Sequence, residues 1–388
     1  MKIRVAVLIL SVAMIALASA QVSSSRAMQS KPRARDLGIP FEGTPGTFNA
    51  ITDVAGVEVG HTTLISGEGK LQVGVGPVRT GVTAVLPRGR GNSDAVFAGW
   101  YSLNGNGEMT GTTWMEESGF MEGPLMITNT HSVGVVRDAV IAWQLKHQSK
   151  TAQAWGLPVV AETFDGWLND INGFHVKPEH AFAALDSAKS GAIAEGSVGG
   201  GTGMICYEFK GGIGTSSRRL SERQGGYTVG VLVQANFGLR NQLLIAGVPV
   251  GKEIPEGTIR QSETGSIIVA VATDAPLLPH QLKRLARRVP LGLARTGSMS
   301  GNGSGDIFVA FSTANPKAWG SSEPAQLKML PNERMNSLFD ATVLATEEAV
   351  INAIVAAETM TGVDGHKILG LPHDRVREAL KKYNRLTK

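Results

Sequence analysis

Cysteine is almost absent from this chain: Cys206 is the only one in 388 residues. One thiol makes no intramolecular disulfide and no thiolate metal site, so Cys206 reads as a small buried hydrophobe. His-Glu-x-x-His does not occur and the eight histidines are thinly spread, which leaves no zinc-hydrolase signature. Gly-x-Ser-x-Gly is missing too, which speaks against the nucleophile elbow of an α/β-hydrolase. Triads assembled from distant Ser, His and Asp residues need no local motif and stay open. The run Gly199-Gly200-Gly201-Thr202-Gly203-Met204 lacks the third glycine of a dinucleotide fingerprint, and no Lys-Ser/Thr follows it. Tight backbone packing is its simpler use. Long charge runs are also lacking: 37 basic and 33 acidic residues are scattered, for a net +4. The main basic cluster, Lys283-Arg284 with Arg287-Arg288, has no interleaved aromatics. It reads as a solvated helix face, with no nucleic-acid partner. The 48 glycines follow no strict period, which excludes a collagen-like chain.

The one long apolar run is too short to span a bilayer. It covers residues 5–18, against the roughly 20 that a membrane helix needs. Lys2 and Arg4 precede it and Ala18-Ser19-Ala20 follows, which is the pattern of a secretory signal cut after Ala20. No cysteine follows that site, so no lipid anchor is indicated. The expectation is an exported protein, periplasmic or secreted, without membrane attachment once the signal is gone. Residues 21–35, polar and basic, read as an arm.

What remains is rich in short strands and separate helices. Hydrophobic residues make up 42% of the chain, enough for a substantial core, and one layered domain can reach this length. Strand patterns fall near residues 56–63, 81–87, 159–166, 226–236 and 306–311, each bounded by Gly, Pro or polar turns. Helical patterns begin at Ser132, cover 178–194, open at Asp274 and Pro276, run over 338–361 and close with a short helix after His373-Asp374. Hairpin-like groups of strands and paired helices suit an α+β layered fold better than regular βαβ alternation. Polar strand ends within residues 99–131 are candidates for a pocket rim. His131 is the one histidine near it, with a structural hydrogen-bonding role as the simpler reading.

One stretch stands apart. Thr264-Gly265-Ser266 leads into Ile267-Ile268-Val269-Ala270-Val271-Ala272, a run that reads as a strand buried on both faces. An exposed loop, with Pro255-Glu256-Gly257 and Gln261-Ser262-Glu263, precedes it. A hydroxyl at the head of a buried strand suggests self-cleavage of Gly265-Ser266. The new α-amine, with a pKa of about 8, could then act as the base for its own Ser266 hydroxyl. Such a site also needs an oxyanion donor and a polar group to place the proton. Ser304 and Asp306, two apart at a strand start, can point to one side and supply the second. Pattern alone favours a glycine-rich turn with Asp306 as a local hydrogen-bonding residue.

These residues resemble the L-aminopeptidase/D-esterase (DmpA) family, which includes the β-peptidyl aminopeptidases. The likeness rests on Thr264-Gly265-Ser266-Ile267-Ile268-Val269, Ala272-Thr273-Asp274-Ala275-Pro276-Leu277 and residues 300–306. It extends to residues 105–111, Thr128-Asn129-Thr130-His131, Ala161-Glu162-Thr163 and Gln234-Ala235-Asn236. The resemblance implies a four-layer αββα sandwich and a precursor cut into an α chain (21–265) and a β chain (266–388), held together in a homotetramer. It implies release of N-terminal residues from small peptides, amides or esters that carry a free amino terminus, with no metal or cofactor. Ser266 matches the self-cleaving nucleophile, Ser304 and Asp306 the pair that orients it, and Asn236 the oxyanion donor. Glu162 matches an acid that binds the substrate ammonium. Phe164 stands where some members carry Tyr and is assigned to pocket shape. Asp306 is shorter than the Glu of some β-peptide-cleaving members, which leaves α- against β-peptide preference open. The related ornithine acetyltransferases offer a rival activity, acyl transfer, but use a Thr nucleophile and are not exported. A rival of another class is a non-catalytic periplasmic binding protein with Gly265-Ser266 as a plain turn.

Overall fold

All nine residues of Val78–Leu86 and the last eight of Thr264–Thr273 are buried, as happens to strands covered on both faces. The architecture follows from what covers them. It is described from a computed structural model for residues 31–147, 155–262, 264–320 and 323–387. The expected signal peptide, 1–20, and Glu263 lie outside the described residues. The chain divides before Arg33; only residues 31 and 32 of the first unit are described, and every element below belongs to the second.

In chain order the strands are β1 (Glu58–Ser66), β2 (Val78–Leu86), β3 (Val96–Ser102), β4 (Phe120–Met121), β5 (Leu125–Asn129), β6 (Val159–Thr163), β7 (Ile205–Cys206), β8 (Phe209–Lys210), β9 (Gly212–Arg219), β10 (Thr228–Asn236), β11 (Thr264–Thr273), β12 (Gly303–Ser312), β13 (Met360–Thr361) and β14 (Lys367–Ile368). The helices are α1 (Thr112–Ser118), α2 (Val133–His147), α3 (Pro178–Asp186), α4 (Val250–Glu253), α5 (Pro279–Ala286), α6 (Val289–Arg295), α7 (Asn336–Val355) and α8 (His373–Lys382). A four-stranded sheet runs β1-β2-β5-β6 and a six-stranded sheet runs β4-β3-β12-β11-β10-β9. All neighbours in them are antiparallel except β5–β6 and β11–β12.

Strand alternation separates the cores. Ile268, Ala270 and Ala272 of β11 meet Val85, Ile127 and Ala161 of the other sheet. Ile267, Val269 and Val271 pack under α5, α6 and α7, against Leu282, Leu293 and Ala349 among others. A third core joins the outer face of the smaller sheet (Val82, Ala84, Met126, Val160) to α2 and α3. The order is helices, sheet, sheet, helices: the four-layer αββα sandwich that the resemblance implies.

Four local expectations are corrected. The helix expected over 338–361 stops at Val355, because Met360 and Thr361 pair with Lys367 and Ile368 instead. The helix expected over 178–194 stops at Asp186, where Lys189 is drawn into a two-way bridge with Val59 at the sheet edge. The helix expected to open at Asp274 starts at Pro279; the Asp274 carboxylate instead accepts the Thr228 N–H at 2.8 Å. The arm expected over 21–35 is corrected at its end, while its residues 21–30 lie outside the described residues: Arg33 pairs with Glu195 at 2.6 Å, Arg35 with Glu348 at 2.7 Å, and Ala34–Leu37 is a 3₁₀ turn. The glycine run behaves as expected. Gly199–Gly201 is a buried turn, and a Cβ on Gly200 would fall 2.2 Å from Gln234 Oε1. Cys206 is buried. No helix among the described residues is long and apolar enough to cross a membrane.

Candidate active site

Ser266 opens the buried part of β11, and Asn236 closes β10 directly opposite it. Ser266 shares the parity of Ile268 and Ala270, and Asn236 that of Leu232, so both side chains belong to the face between the sheets. The Ser266 hydroxyl donates to the Gly265 carbonyl at 2.6 Å and accepts the Gly305 N–H at 3.3 Å. Gly265 has no room for a side chain: a Cβ there would stand 2.2 Å from Asn236 O. Asn236 Oδ1 accepts the Ile205 N–H at 2.8 Å, and Nδ2 donates to the Phe164 carbonyl at 2.9 Å. A primary amide has two N–H groups, and the Phe164 carbonyl takes one of those of Asn236.

Ser304 and Asp306 do meet. The Ser304 hydroxyl donates to Asp306 Oδ1 at 2.6 Å, and both residues are buried. Their parity is that of Phe308 and Ala310, the helix side of the sheet, across the β11 backbone from the Ser266 side chain. Main-chain nitrogen lies in the plane of the sheet and can be approached from either face. The pair is therefore better placed to handle the Ser266 nitrogen than its hydroxyl. Burial pushes the Asp306 carboxyl up, while hydrogen bonds from Ser304, Ser300, Asn104 and the Ile267 N–H pull it down.

Glu162 lies near the end of β6, almost fully buried. Its Oε1 accepts the Glu108 N–H at 3.0 Å, and its Oε2 accepts the Thr130 hydroxyl. Burial raises its pKa, while the Thr130 and Glu108 hydrogen bonds oppose the shift. The loop over 104–110 ties this acid to the start of β12, next to Ser266. Asn104 Nδ2 donates to Ser300 O at 2.8 Å and Asp306 Oδ2 at 3.2 Å, and Asn106 Nδ2 to Gly303 O at 2.8 Å. A Cβ on Gly107 would stand 3.2 Å from Gly305 Cα and 3.3 Å from Glu162 Oε1. Thr110 N–H then joins Val160 O at 2.9 Å on the edge of β6. One strap thus runs from β12 of the larger sheet to β6 of the smaller, and Glu162 and Gly305 face each other across it.

Phe164 enters the site through its carbonyl, which Asn236 holds; the residue is 52% exposed and its ring lies over Gly166. His131 is exposed and stacks on Phe174 with ring centroids 6.1 Å apart, on the Thr130 side of Glu162. Sequence reasoning missed Asn104, Thr130, and the N–H groups of Glu108 and Gly305. Asn104 and Thr130 stand in the polar strand ends within 99–131 that mark the rim, but nothing in their spacing pairs them with Asp306 and Glu162. Among the described residues, no group of three or more His, Cys, Asp or Glu is arranged to hold a metal.

Comparison with known proteins gives a consistent picture. The model of peptidase family S58 matches residues 49–368. A β-peptidyl aminopeptidase, BapA, of Sphingosinicella microcystinivorans is 58% identical over 371 residues, spanning 92% of this chain and 93% of that protein. The β-peptidyl aminopeptidase BapA of Sphingosinicella xenopeptidilytica is 51% identical over 90% of this chain and 91% of its own. Among solved structures, the L-aminopeptidase D-Ala-esterase/amidase of Ochrobactrum anthropi, described as a prototype for the serine aminopeptidases and a variant of the Ntn hydrolase fold, superposes with a TM-score of 0.87. It is 49% identical, over 92% of this chain and 100% of that one.

Proposed function

The chain belongs to peptidase family S58, and from that premise we propose that it cuts its own Gly265-Ser266 bond and works from the terminus so made. It is a hydrolase, a serine aminopeptidase with the fold of the Ntn hydrolases. Relatives named as aminopeptidases favour neither acyl transfer nor a non-catalytic binding protein.

The observation that carries the self-cut is the Ser266 hydroxyl lying 2.6 Å from the carbonyl oxygen of the bond to be broken, while the Gly305 N–H reaches the same hydroxyl oxygen. Attack by Oγ on the Gly265 carbonyl carbon transfers the acyl group from nitrogen to oxygen, and water releases it. The product has a free Ser266 amine. In turnover, Ser266 Oγ attacks the carbonyl of the substrate's first residue, and the α-amine accepts the hydroxyl proton. Asn236 donates to the tetrahedral oxyanion. The amine returns the proton to the leaving nitrogen, and water clears the acyl-enzyme. Ser304 and Asp306 orient the Ser266 amine. Glu162 receives the substrate ammonium as a charge-assisted hydrogen bond, which selects free N-termini, and Phe164 shapes the pocket.

The two relatives named β-peptidyl aminopeptidases support an N-terminal β-amino acid as the residue released. Export through the 1–20 signal and assembly of the 21–265 and 266–388 chains into a homotetramer complete the reading. The test is a denaturing gel with N-terminal sequencing. Purified protein gives a fragment that begins at Ser266 and releases the first residue from a β-aminoacyl anilide; Ser266→Ala stays whole and inactive. Cleavage in Ser266→Ala would show that Ser266 is not the nucleophile.

A further inference from the structure

Thr130 belongs to a stretch that carries the family likeness and has no part in the mechanism above. Its hydroxyl is not spent on its own turn. Residues 130–132 form a 3₁₀ turn capped by Asn129, whose Oδ1 accepts the His131 N–H at 3.1 Å and whose Nδ2 donates to Thr80 Oγ1 at 2.7 Å. The cap is complete without Thr130, and the Thr130 hydroxyl is turned outward to Glu162 Oε2. Threonine is stiff about χ1 because it branches at Cβ, so a capped turn presents that hydroxyl from a fixed position.

We propose that Thr130 is a positioning residue for substrate binding, which holds the Glu162 carboxylate in the orientation and charged form that receive the substrate ammonium. The inference rests on the reading of Glu162 as the amine-binding acid. A carboxylate offers about four lone-pair sites. The Glu108 N–H takes one on Oε1 and the Thr130 hydroxyl one on Oε2, so each oxygen is pinned and each keeps acceptor capacity for an ammonium. Both partners are donors that favour the ionised acid, in a setting where burial favours the neutral one. Of the charged groups that bear on Glu162, Glu108 disfavours its ionisation and His131 favours it. The Glu108 contribution to the clamp is a main-chain N–H, so Thr130 is the half that a side-chain change can remove.

Thr130→Val keeps the shape and removes the donor. A hydrogen bond to a charged group is worth about one to two powers of ten. Thr130→Val should therefore raise KM for an aminoacyl anilide about tenfold with little change in kcat. The preference for that anilide over its des-amino analogue should fall by a similar factor. Thr130→Ser should restore both, and all variants should still cut themselves. An unchanged KM in Thr130→Val, a loss confined to kcat, or a Thr130→Ser as impaired as Thr130→Val would each overturn the proposal. Glu162→Gln, run alongside, separates the two readings. If it raises KM and Thr130→Val does not, the positioning role alone fails. If it leaves KM unchanged, Glu162 is not the amine-binding acid and both readings fail.

Discussion

Asp165 sits one residue beyond the carbonyl that Asn236 holds, and its carboxyl is buried and pushed up to about 7 by desolvation. Asn169 Nδ2 donates to its Oδ1 at 3.0 Å, and hydrogen bonding from Asn169, Thr80 and Asn129 opposes the upward shift without cancelling it. The folded pKa lies above that of the unfolded chain. The neutral acid therefore contributes stability fully present below about pH 4, which is lost as pH rises through about 7. Over that span the loss is on the order of 4 kcal/mol. Asp165→Asn keeps an acceptor for Asn169 and has no charge to desolvate. Its melting temperature should match the parent near pH 4 and exceed it at pH 8, with the gap opening between those limits. A constant gap in thermal unfolding across that range would mean that Asp165 does not titrate as the fold dictates. His61 works in the opposite direction. Burial lowers its pKa to about 4, so its neutral form contributes stability above the ordinary imidazole value, lost as pH falls from there towards 4.

Between residue and fold stands the strap over 104–110. Gly305 is where it presses most closely on the β12 backbone: a Cβ there would come within 2.3 Å of Asn106 O and 2.9 Å of Gly107 Cα. Gly305→Ala must push the strap away. That moves the Glu108 N–H off Glu162 and Asn104 off Asp306 in one step. Overpacking of this kind costs about 1–3 kcal/mol. The expected outcome is a lower unfolding midpoint in denaturant together with a larger loss of kcat/KM on an aminoacyl anilide than that destabilisation explains; full activity in Gly305→Ala would show that the strap does not set the site. Little of this was legible in the sequence. β11 and the Ser304–Asp306 parity could be read because alternation is local and period two carries it. The ends of α3 and α7 could not, because pairing of Lys189 with Val59 and of Met360 with Ile368 decides them from a distance. The Glu162 clamp was hidden for the same reason: residues 108, 130 and 162 come from three segments, and no spacing along the chain announces that they meet.

At the scale of the whole molecule, the proposed cut falls inside a sheet. In the order β4-β3-β12-β11-β10-β9, only β12 and the part of β11 from Ser266 onward belong downstream of the proposed cut, and they sit between strands that lie before it. Two seams, β12 with β3 and β11 with β10, therefore join the two chains by full hydrogen-bonded ladders. The downstream helix α7 adds a third join by packing on β9 and β10. Separation would expose Val229, Val231, Val233, Ile267, Val269 and Val271 together, all fully buried at present. At roughly 1.5–3 kcal/mol for each large apolar side chain, that cost is far above thermal energy. The cut chains should therefore behave as one folding unit: they should co-elute in buffer and come apart only across the same denaturant transition that unfolds the protein, followed by circular dichroism and size exclusion together. Release of the 266–388 chain in plain buffer would contradict the sheet order. The same geometry would let a chain cut at this place keep its new terminus in position. The six-stranded sheet holds Ser266 from both sides, so the proposed break would free the Ser266 amine without loosening the strand that carries it.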